Sequence, residues 1–348
     1  MKILVVGDGH SAIHEVAVAN AFKKLGHDVK SFHWHKHFYS VNPLIYQWYK
    51  LQNKFLVGPI INKINYELFE LALIFKPNMI FIYRGTHIVS NTLIEIKRHL
   101  PNCKIFGYNN DDPFSDKHPF YLWRHFIKCI PFYDLIFAYR HQNLDDFKKK
   151  GANRVALLRS WFIPEINFPV YLLKEDKIKY TSDVVFIGHY EKDIRLEYLE
   201  EIVKAGYNLK IFGPPYEWNR VILKSKILKH LYPINLIWNV EYSKAISGAK
   251  IAICFFSKLN RDTYTRRCFE IPATRTMLLS EYSQDMTVIF KQGAEVELFK
   301  SKEEMIKKIK LYLENDDLRL KVAIKGYQKV INNGYDILSR MKEVIKHC

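Results

Sequence analysis

One local grammar, used twice, constrains what this chain can fold into. Lys2 to Val6 is a continuous apolar run of strand length, broken by the turn Gly7-Asp8-Gly9-His10. From Ser11 to about Leu25, Ile13, Val16, Ala17, Asn20, Ala21 and Phe22 share a mostly apolar helical stripe. Gly26 suits the left-handed cap that ends such a helix, and Asp28 to Phe32 reads as the next strand. Strand, glycine turn, helix and strand in this order is a Rossmann-like βαβ unit. Further apolar runs at Met79–Tyr83, Lys104–Tyr108, Leu135–Ala138 and Arg154–Leu158 extend it. Trp161 to Thr181, with Pro164 and Pro169, reads as a linker, and then the grammar restarts. Asp183–Ile187 ends in Gly188, a helix from Ile194 to Ala205 is closed by Gly206, and Leu209–Phe212 runs into Gly213-Pro214-Pro215. Ile251–Phe256 and Met277–Ser280 supply later strands, and the tail from Met305 to His347 is helical. Alternating strands and helices predict parallel sheets, hence an α/β fold with two Rossmann-like domains. The 348 residues fit two domains of roughly 150 each. The boundaries expected are 1–165, 166–334 and a terminal helix over 335–348.

The net charge is +17, from 53 Lys and Arg against 36 Asp and Glu, with no long basic block. It favours anionic partners such as nucleotides, phospholipid head groups or nucleic acid, although a lysine-rich genome leaves the same mark. No RNA-recognition, helix-turn-helix or zinc-finger signature is present, so no specific nucleic-acid partner is expected. The five cysteines, Cys103, Cys129, Cys254, Cys268 and Cys348, form no CxxC pair and are odd in number, which fits reduced thiols. The opening residues do not read as a signal peptide, and no run approaches the roughly 18 apolar residues of a membrane span. The expected location is cytoplasmic, with peripheral contact at the inner face of a membrane left open.

The densest chemistry lies from Asn260 to Ala273, just after the strand Ile251–Phe256. In open α/β sheets, ligands bind outside the carboxyl ends of strands. Arg261, Arg266 and Arg267 fall within seven residues, and such a cluster repels itself unless an anion joins it. Guanidinium forks suit phosphate oxygens, and Glu270 can accept from two neighbouring ribose hydroxyls. Pairing of the arginines with Asp262 and Glu270 on a solvated face satisfies the same residues.

The stretch Asn260, Arg261, Asp262, Thr265 and Arg267 to Ala273, followed by Leu278 to Glu281, Phe290 to Glu295 and the helical tail, resembles the CgeB-like glycosyltransferases. Val185 to Gly188, Arg195 and Asn109 to Phe114 agree less specifically. That family is similar to the group 1 glycosyltransferases of GT-B fold. The resemblance implies two domains facing across a cleft, with the terminal helix packing back toward the first. It implies Glu270 at the nucleotide ribose, Arg267 near the diphosphate, Gly188 and Arg195 bordering the cleft, Phe212 and Gly213 bordering the base pocket, and Glu295 on a nearby loop. One departure stands out: relatives carry a small Cys-Gly type pair after Pro-Ala, whereas this chain has Thr274 and Arg275.

Three further features belong to the first half. Asn109-Asn110-Asp111-Asp112-Pro113 follows a strand, and Asp111 could deprotonate an acceptor hydroxyl while Asp112 and Pro113 start a helix. There is no spaced Asp-x-Asp pair, so neither an essential metal nor a cofactor is expected. The Gly7 to Ser11 turn lacks the third glycine of the dinucleotide fingerprint. By resemblance it meets the acceptor or the transferred sugar, with Asp8 or His10 as base; a plain tight turn is the alternative. In His33-Trp34-His35-Lys36-His37, an extended chain would put three imidazoles on one side, a weak metal signal without a distant ligand. The basic-aromatic mixture from Trp34 to Phe55 suits a membrane interface or lipid-linked acceptor, and equally a core-packing helical pair.

The favoured reading is transfer of a sugar from a nucleotide-diphosphate donor to a glycan, lipid-linked or protein acceptor hydroxyl. A sugar-nucleotide epimerase on the same fold would need no acceptor. A non-enzymatic nucleic-acid binder would show steep salt dependence and no sugar-nucleotide binding.

Overall fold

The computed structural model describes Met1–Cys348 and divides into two compact units. The first comprises Met1–Ser160 with Ile337–Cys348, the second Trp161–Asp336.

The first unit runs β1 (Lys2–Gly7), α1 (Glu15–Lys24), β2 (Asp28–His33), α2 (Pro43–Phe55), α3 (Pro59–Phe75), β3 (Met79–Tyr83), α4 (Ser90–His99), β4 (Lys104–Asn109), α5 (Arg124–Cys129), β5 (Leu135–Ala138), α6 (His141–Lys149) and β6 (Val155–Leu157). Its six strands are parallel in the order β2-β1-β3-β4-β5-β6, with Ile3 opposite Met79 and Ile80 opposite Ile105. Both faces of such a sheet are covered, which is why β3 reads as an unbroken apolar run. Leu4, Val6, Ile80, Ile82, Ile105 and Ile136 pack under α3, α4 and α5. The strand order reverses between β1 and β3, so the crevice a ligand would use opens at their carboxyl ends.

The second unit runs α7 (Lys174–Tyr180), β7 (Ser182–Ile187), α8 (Arg195–Lys204), β8 (Leu209–Phe212), α9 (Pro215–Ile222), α10 (Asn239–Ser247), β9 (Ala249–Cys254), α11 (Arg267–Ala273), β10 (Met277–Glu281), α12 (Gln284–Ile289), β11 (Glu297–Phe299), α13 (Lys302–Glu314) and α14 (Asp316–Asn332). Its parallel sheet has the order β11-β10-β9-β7-β8, and its reversal lies between β7 and β9. Side-chain caps start its later helices: Ser283 accepts from Met286 N at 3.0 Å and Asn315 from Leu318 N at 2.9 Å. Val184, Phe186, Ile251, Ile253 and Leu279 form the core with Trp218. The last helix, α15 (Ile337–Ile345), belongs to the first unit and packs on α1.

Several expectations need correction. No helix starts at Pro113: Asp112 Oδ1 instead accepts from Phe114 N at 3.1 Å and Asn143 Nδ2 at 2.9 Å, holding a turn. The chain from His35 to Phe38 is a 3₁₀ turn, so the alternation of imidazoles is lost. His35 faces Asp8 at 3.5 Å, whereas His37 lies 3.4 Å from Glu67. Of the helical pair expected over Trp34 to Phe55 only α2 forms, and it buries Gln52 alone; Trp34 and Phe38 are buried at the 3₁₀ turn. The segment read as a linker contains α7.

Candidate functional site

At the carboxyl end of β7, Gly188 N donates to Phe212 O at 2.9 Å, tying two strand ends together. Gly213 abuts the Gly188 carbonyl, which also accepts from Trp218 Nε1 at 2.8 Å. A side chain at either glycine would therefore collide. At Gly188 the space is already taken: a Cβ there would lie 2.9 Å from an Arg267 guanidinium nitrogen.

Arg267 opens α11 because Thr265 Oγ1 accepts its backbone N–H at 3.2 Å and Thr265 O accepts from Cys268 N at 3.0 Å. Its Nε is buried with no hydrogen-bond partner. Burial opposes the charge, but Cys254, Tyr242 and Glu270 beside it outweigh burial and hold the guanidinium protonated. The Cys254 thiol is lowered to about 6, chiefly by its hydrogen bond with Cys268, against burial, with Arg267 assisting. One turn along α11, buried Glu270 accepts from Tyr242 Oη at 2.7 Å and pairs with Arg266 at 2.7 Å. Burial, then the Glu270 carboxylate, pushes the Tyr242 hydroxyl well above its ordinary range.

The arginine cluster thus splits three ways. Arg266 pairs with Glu270, Arg261 is exposed in a left-handed turn at φ 49°, and Arg267 alone lies against Gly188. Asn260 and Asp262 shape the loop, through Asn260 N on Ser257 Oγ at 3.2 Å and Asp262 N on Ser257 O at 2.9 Å. Gly188, Phe212, Gly213, Thr265, Arg267 and Glu270 come together at this edge.

Arg195 and Glu295 use their side chains in other contacts. Arg195 is buried and forks onto Asp193 through two bonds of 2.8 Å, with a third to His189 O at 2.6 Å. It folds the loop after β7. The Glu295 carboxylate closes its own turn on Lys291 N at 2.8 Å, and its backbone carbonyl presses on Gly326 beside Pro272. That is the end of α11 away from Arg267. Arg275 also sits at that far end, exposed, with φ 62°. A glycine would suit this left-handed position, so the departure from the family pattern concerns a helix cap and leaves the Arg267 edge untouched.

The equivalent edge of the first unit has the opposite sign. Glu15, buried at the start of α1, folds back over Gly7 and accepts the Gly9 N–H. Burial raises its carboxyl above the ordinary 4.5, against backbone hydrogen bonds that lower it. A phosphate in this turn would meet a carboxyl group where the dinucleotide fold offers free N–H groups. Asp8 pairs with His35, whose ring stands 5.2 Å from that of His10. After β4, Asp111 is held by Arg84 at 2.7 Å, and Arg84 itself follows β3 with φ 66°.

Sequence reasoning missed Tyr242, Glu15, Arg84 and the role of His35. An acid entering the first helix and a basic residue directly after β3 were readable signals. Nothing in the spacing links Tyr242 to Glu270.

A family model described as glycosyl transferase-like matches residues 195–346. No curated protein matches the chain in sequence. Among solved structures, the chain is similar to Anabaena HepE in complex with UDP and glucose, with a TM-score of 0.69 at 10% identity, covering 100% of this chain and 99% of that one. Sucrose-phosphate synthase from Thermosynechococcus elongatus also gives 0.69 at 10% identity, covering 100% and 98%. A glycosyltransferase from Rickettsia africae gives 0.66 at 13% identity, covering 99% and 97%. These likenesses fix the fold as GT-B. The matched segment is similar to glycosyltransferases and lies in a chain of this fold.

Proposed function

We propose that the protein moves a sugar from a nucleoside diphosphate sugar, bound on the second unit, to a hydroxyl acceptor held on the first. The observation that carries this is Arg267: a cation kept protonated, its Nε unpartnered, against a side-chain-free strand end at a topological switch point. Phosphate oxygens would complete its hydrogen bonding. UDP in the complexed Anabaena structure supports the donor class.

In this reading the acceptor oxygen bonds to the anomeric carbon while the bond to the diphosphate oxygen breaks. Arg267 stabilises the charge left on the diphosphate, so the transfer needs no metal or cofactor. Glu270 uses two of its acceptor sites on Tyr242 and Arg266 and keeps others for ribose hydroxyls. Arg195 positions the loop that carries Gly188. On the first unit, His10 takes the acceptor proton, with Asp8 and His35 beside it. Asp111, oriented by Arg84, accepts a hydrogen bond from the acceptor. The narrower CgeB-like assignment, drawn from Asn260 to Ala273, is part of this proposal, as is a role in surface glycan synthesis. Five unpaired thiols, four of them buried, fit a cytoplasmic setting.

A thermal-shift panel of UDP, GDP, TDP and CMP sugars tests the reading, because a ligand bound only by the folded state raises the midpoint. At least one of the diphosphate sugars should shift the wild type and leave Arg267→Ala unmoved. No shift with any of them refutes the reading.

A further inference from the structure

We propose that α2 and its flanks form a docking face for an anionic lipid bilayer. This inference is independent of the sugar-transfer reading.

The helix is well built. Asn42 caps it by accepting from Leu44 N at 3.0 Å and Ile45 N at 3.3 Å, Pro43 opens it, and Leu56 closes it in the left-handed region. It is also firmly held: buried Gln52 accepts from Ile60 N at 2.9 Å, and Arg124 donates to Leu56 O at 2.7 Å. Yet its polarity is inverted. Leu44, Trp48, Leu51 and Phe55 recur at helical spacing and form one stripe, and that stripe faces water, with exposures of 82%, 54%, 49% and 42%. Val41 before it and Val57 after it are exposed as well. The adjoining α3 shows the usual arrangement, with Ile61, Ile64, Leu68 and Ala72 buried. An ordered, capped helix that turns a leucine and tryptophan stripe outward marks a contact surface.

Charge selects the occupant. No Asp or Glu lies between Asp28 and Glu67, whereas Lys30, Lys36, Lys50, Lys54 and Lys63 do. On α2 itself the Lys50 ammonium lies over the Tyr46 ring at 4.4 Å and that of Lys54 over Phe55 at 5.3 Å, so the positive charges sit among the aromatic side chains. A second copy of this face would set lysine against lysine. A bilayer bearing anionic head groups matches both halves of the pattern: acyl chains for the stripe, phosphates for the lysines, and the interfacial layer for tryptophan and tyrosine. The aromatic surface continues through Tyr121, 5.3 Å from Phe55, to Phe120, which is 91% exposed. Phe120 borders a pocket of about 380 Å³ that is also lined by Lys149 and Lys150.

The test is co-sedimentation of the full chain with phosphatidylglycerol-containing vesicles and with pure phosphatidylcholine vesicles, at low and high salt. Wild type should pellet with the anionic vesicles and be released by salt. Leu44→Ser, Trp48→Ser and Leu51→Ser together should weaken binding about tenfold or more, because three apolar anchors are lost. Lys50→Glu with Lys54→Glu should weaken it and blunt the salt effect. Both variants should keep the wild-type thermal midpoint, since the altered side chains lie on the surface. Wild type left in the supernatant, or a triple variant that binds as tightly as wild type, overturns the proposal. So does a wild-type dimer by light scattering that the triple variant converts to monomer without any vesicle binding, which would assign the face to self-association.

Discussion

The two units write the same sentence and end it with opposite charges. Each begins with a buried strand that stops at a glycine beside a topological switch point, Gly7 in the first and Gly188 in the second. In each, the room a Cβ would need is filled by a long side chain from a nearby helix start. In the first unit that side chain is the Glu15 carboxylate, and in the second it is the Arg267 guanidinium. Backbone geometry alone would allow phosphate binding at both. In the proposed function electrostatics divides the labour: the second unit receives the anionic donor and the first works with Asp8, His10, His35 and Asp111. A Rossmann-like turn is thus a site whose ligand is chosen by the first side chain to enter it.

The largest effect expected from breaking this division is on the first unit's chemistry. His10→Ala should lower kcat by about 10²- to 10⁴-fold with donor binding intact, measured by steady-state kinetics beside a donor titration. Asp111→Asn should raise the acceptor KM more than it lowers kcat; the reverse pattern would move the base to Asp111. On the second unit, Arg267→Ala should weaken nucleoside diphosphate binding by about 1.5–3 kcal/mol by calorimetry, as loss of a charge-assisted pair does. Gly213→Ala should cost about 1–3 kcal/mol in denaturant unfolding, because its methyl group would run into the Gly188 carbonyl and Trp218.

Smaller effects sharpen the comparison. The Glu15 carboxyl is raised, first by burial, so its contribution to stability is full below the ordinary carboxylate range and is lost as pH rises through the raised value. Glu15→Gln should therefore stabilise the fold by roughly 1 kcal/mol at neutral pH, with the gain shrinking toward acid in a series of thermal melts. Arg275→Gly should be the mildest change. It relieves a left-handed residue by up to about 1 kcal/mol, partly offset by glycine's freedom in the unfolded chain. Donor affinity should not change, because the residue sits at the far end of α11.

Much of the fold was legible because buried parallel strands are continuous apolar runs. Met79–Tyr83, Leu135–Ala138 and Leu209–Phe212 have the bounds their sequence predicts. The strand over 251–256 slipped to Ala249–Cys254: Phe255 and Phe256 are just as apolar but lie beyond the hydrogen-bonded ladder, and hydrophobicity cannot mark where pairing stops. Glu297–Phe299 is too short to leave a pattern, and Lys174–Tyr180 hides in a stretch of charged residues. The helix expected from Ser11 begins only at Glu15, after the turn that this residue itself stabilises. The place of Arg267 and Glu270 after a second-unit strand was legible because a strand, a loop and a helix start follow one another directly. That Arg195 anchors the loop after β7 was not legible, because an arginine that anchors a loop and one that meets a ligand are the same letter. Tyr242 reaches Glu270 through tertiary packing alone.

Hydrogen exchange of the full chain with and without a saturating nucleoside diphosphate tests the division most directly. The account predicts slowed exchange at Gly188 to Glu191 and at Thr265 to Glu270, with Gly7 to His10 unchanged. Protection centred on Gly7 to His10, with Arg267 and its neighbours exchanging as before, would contradict it.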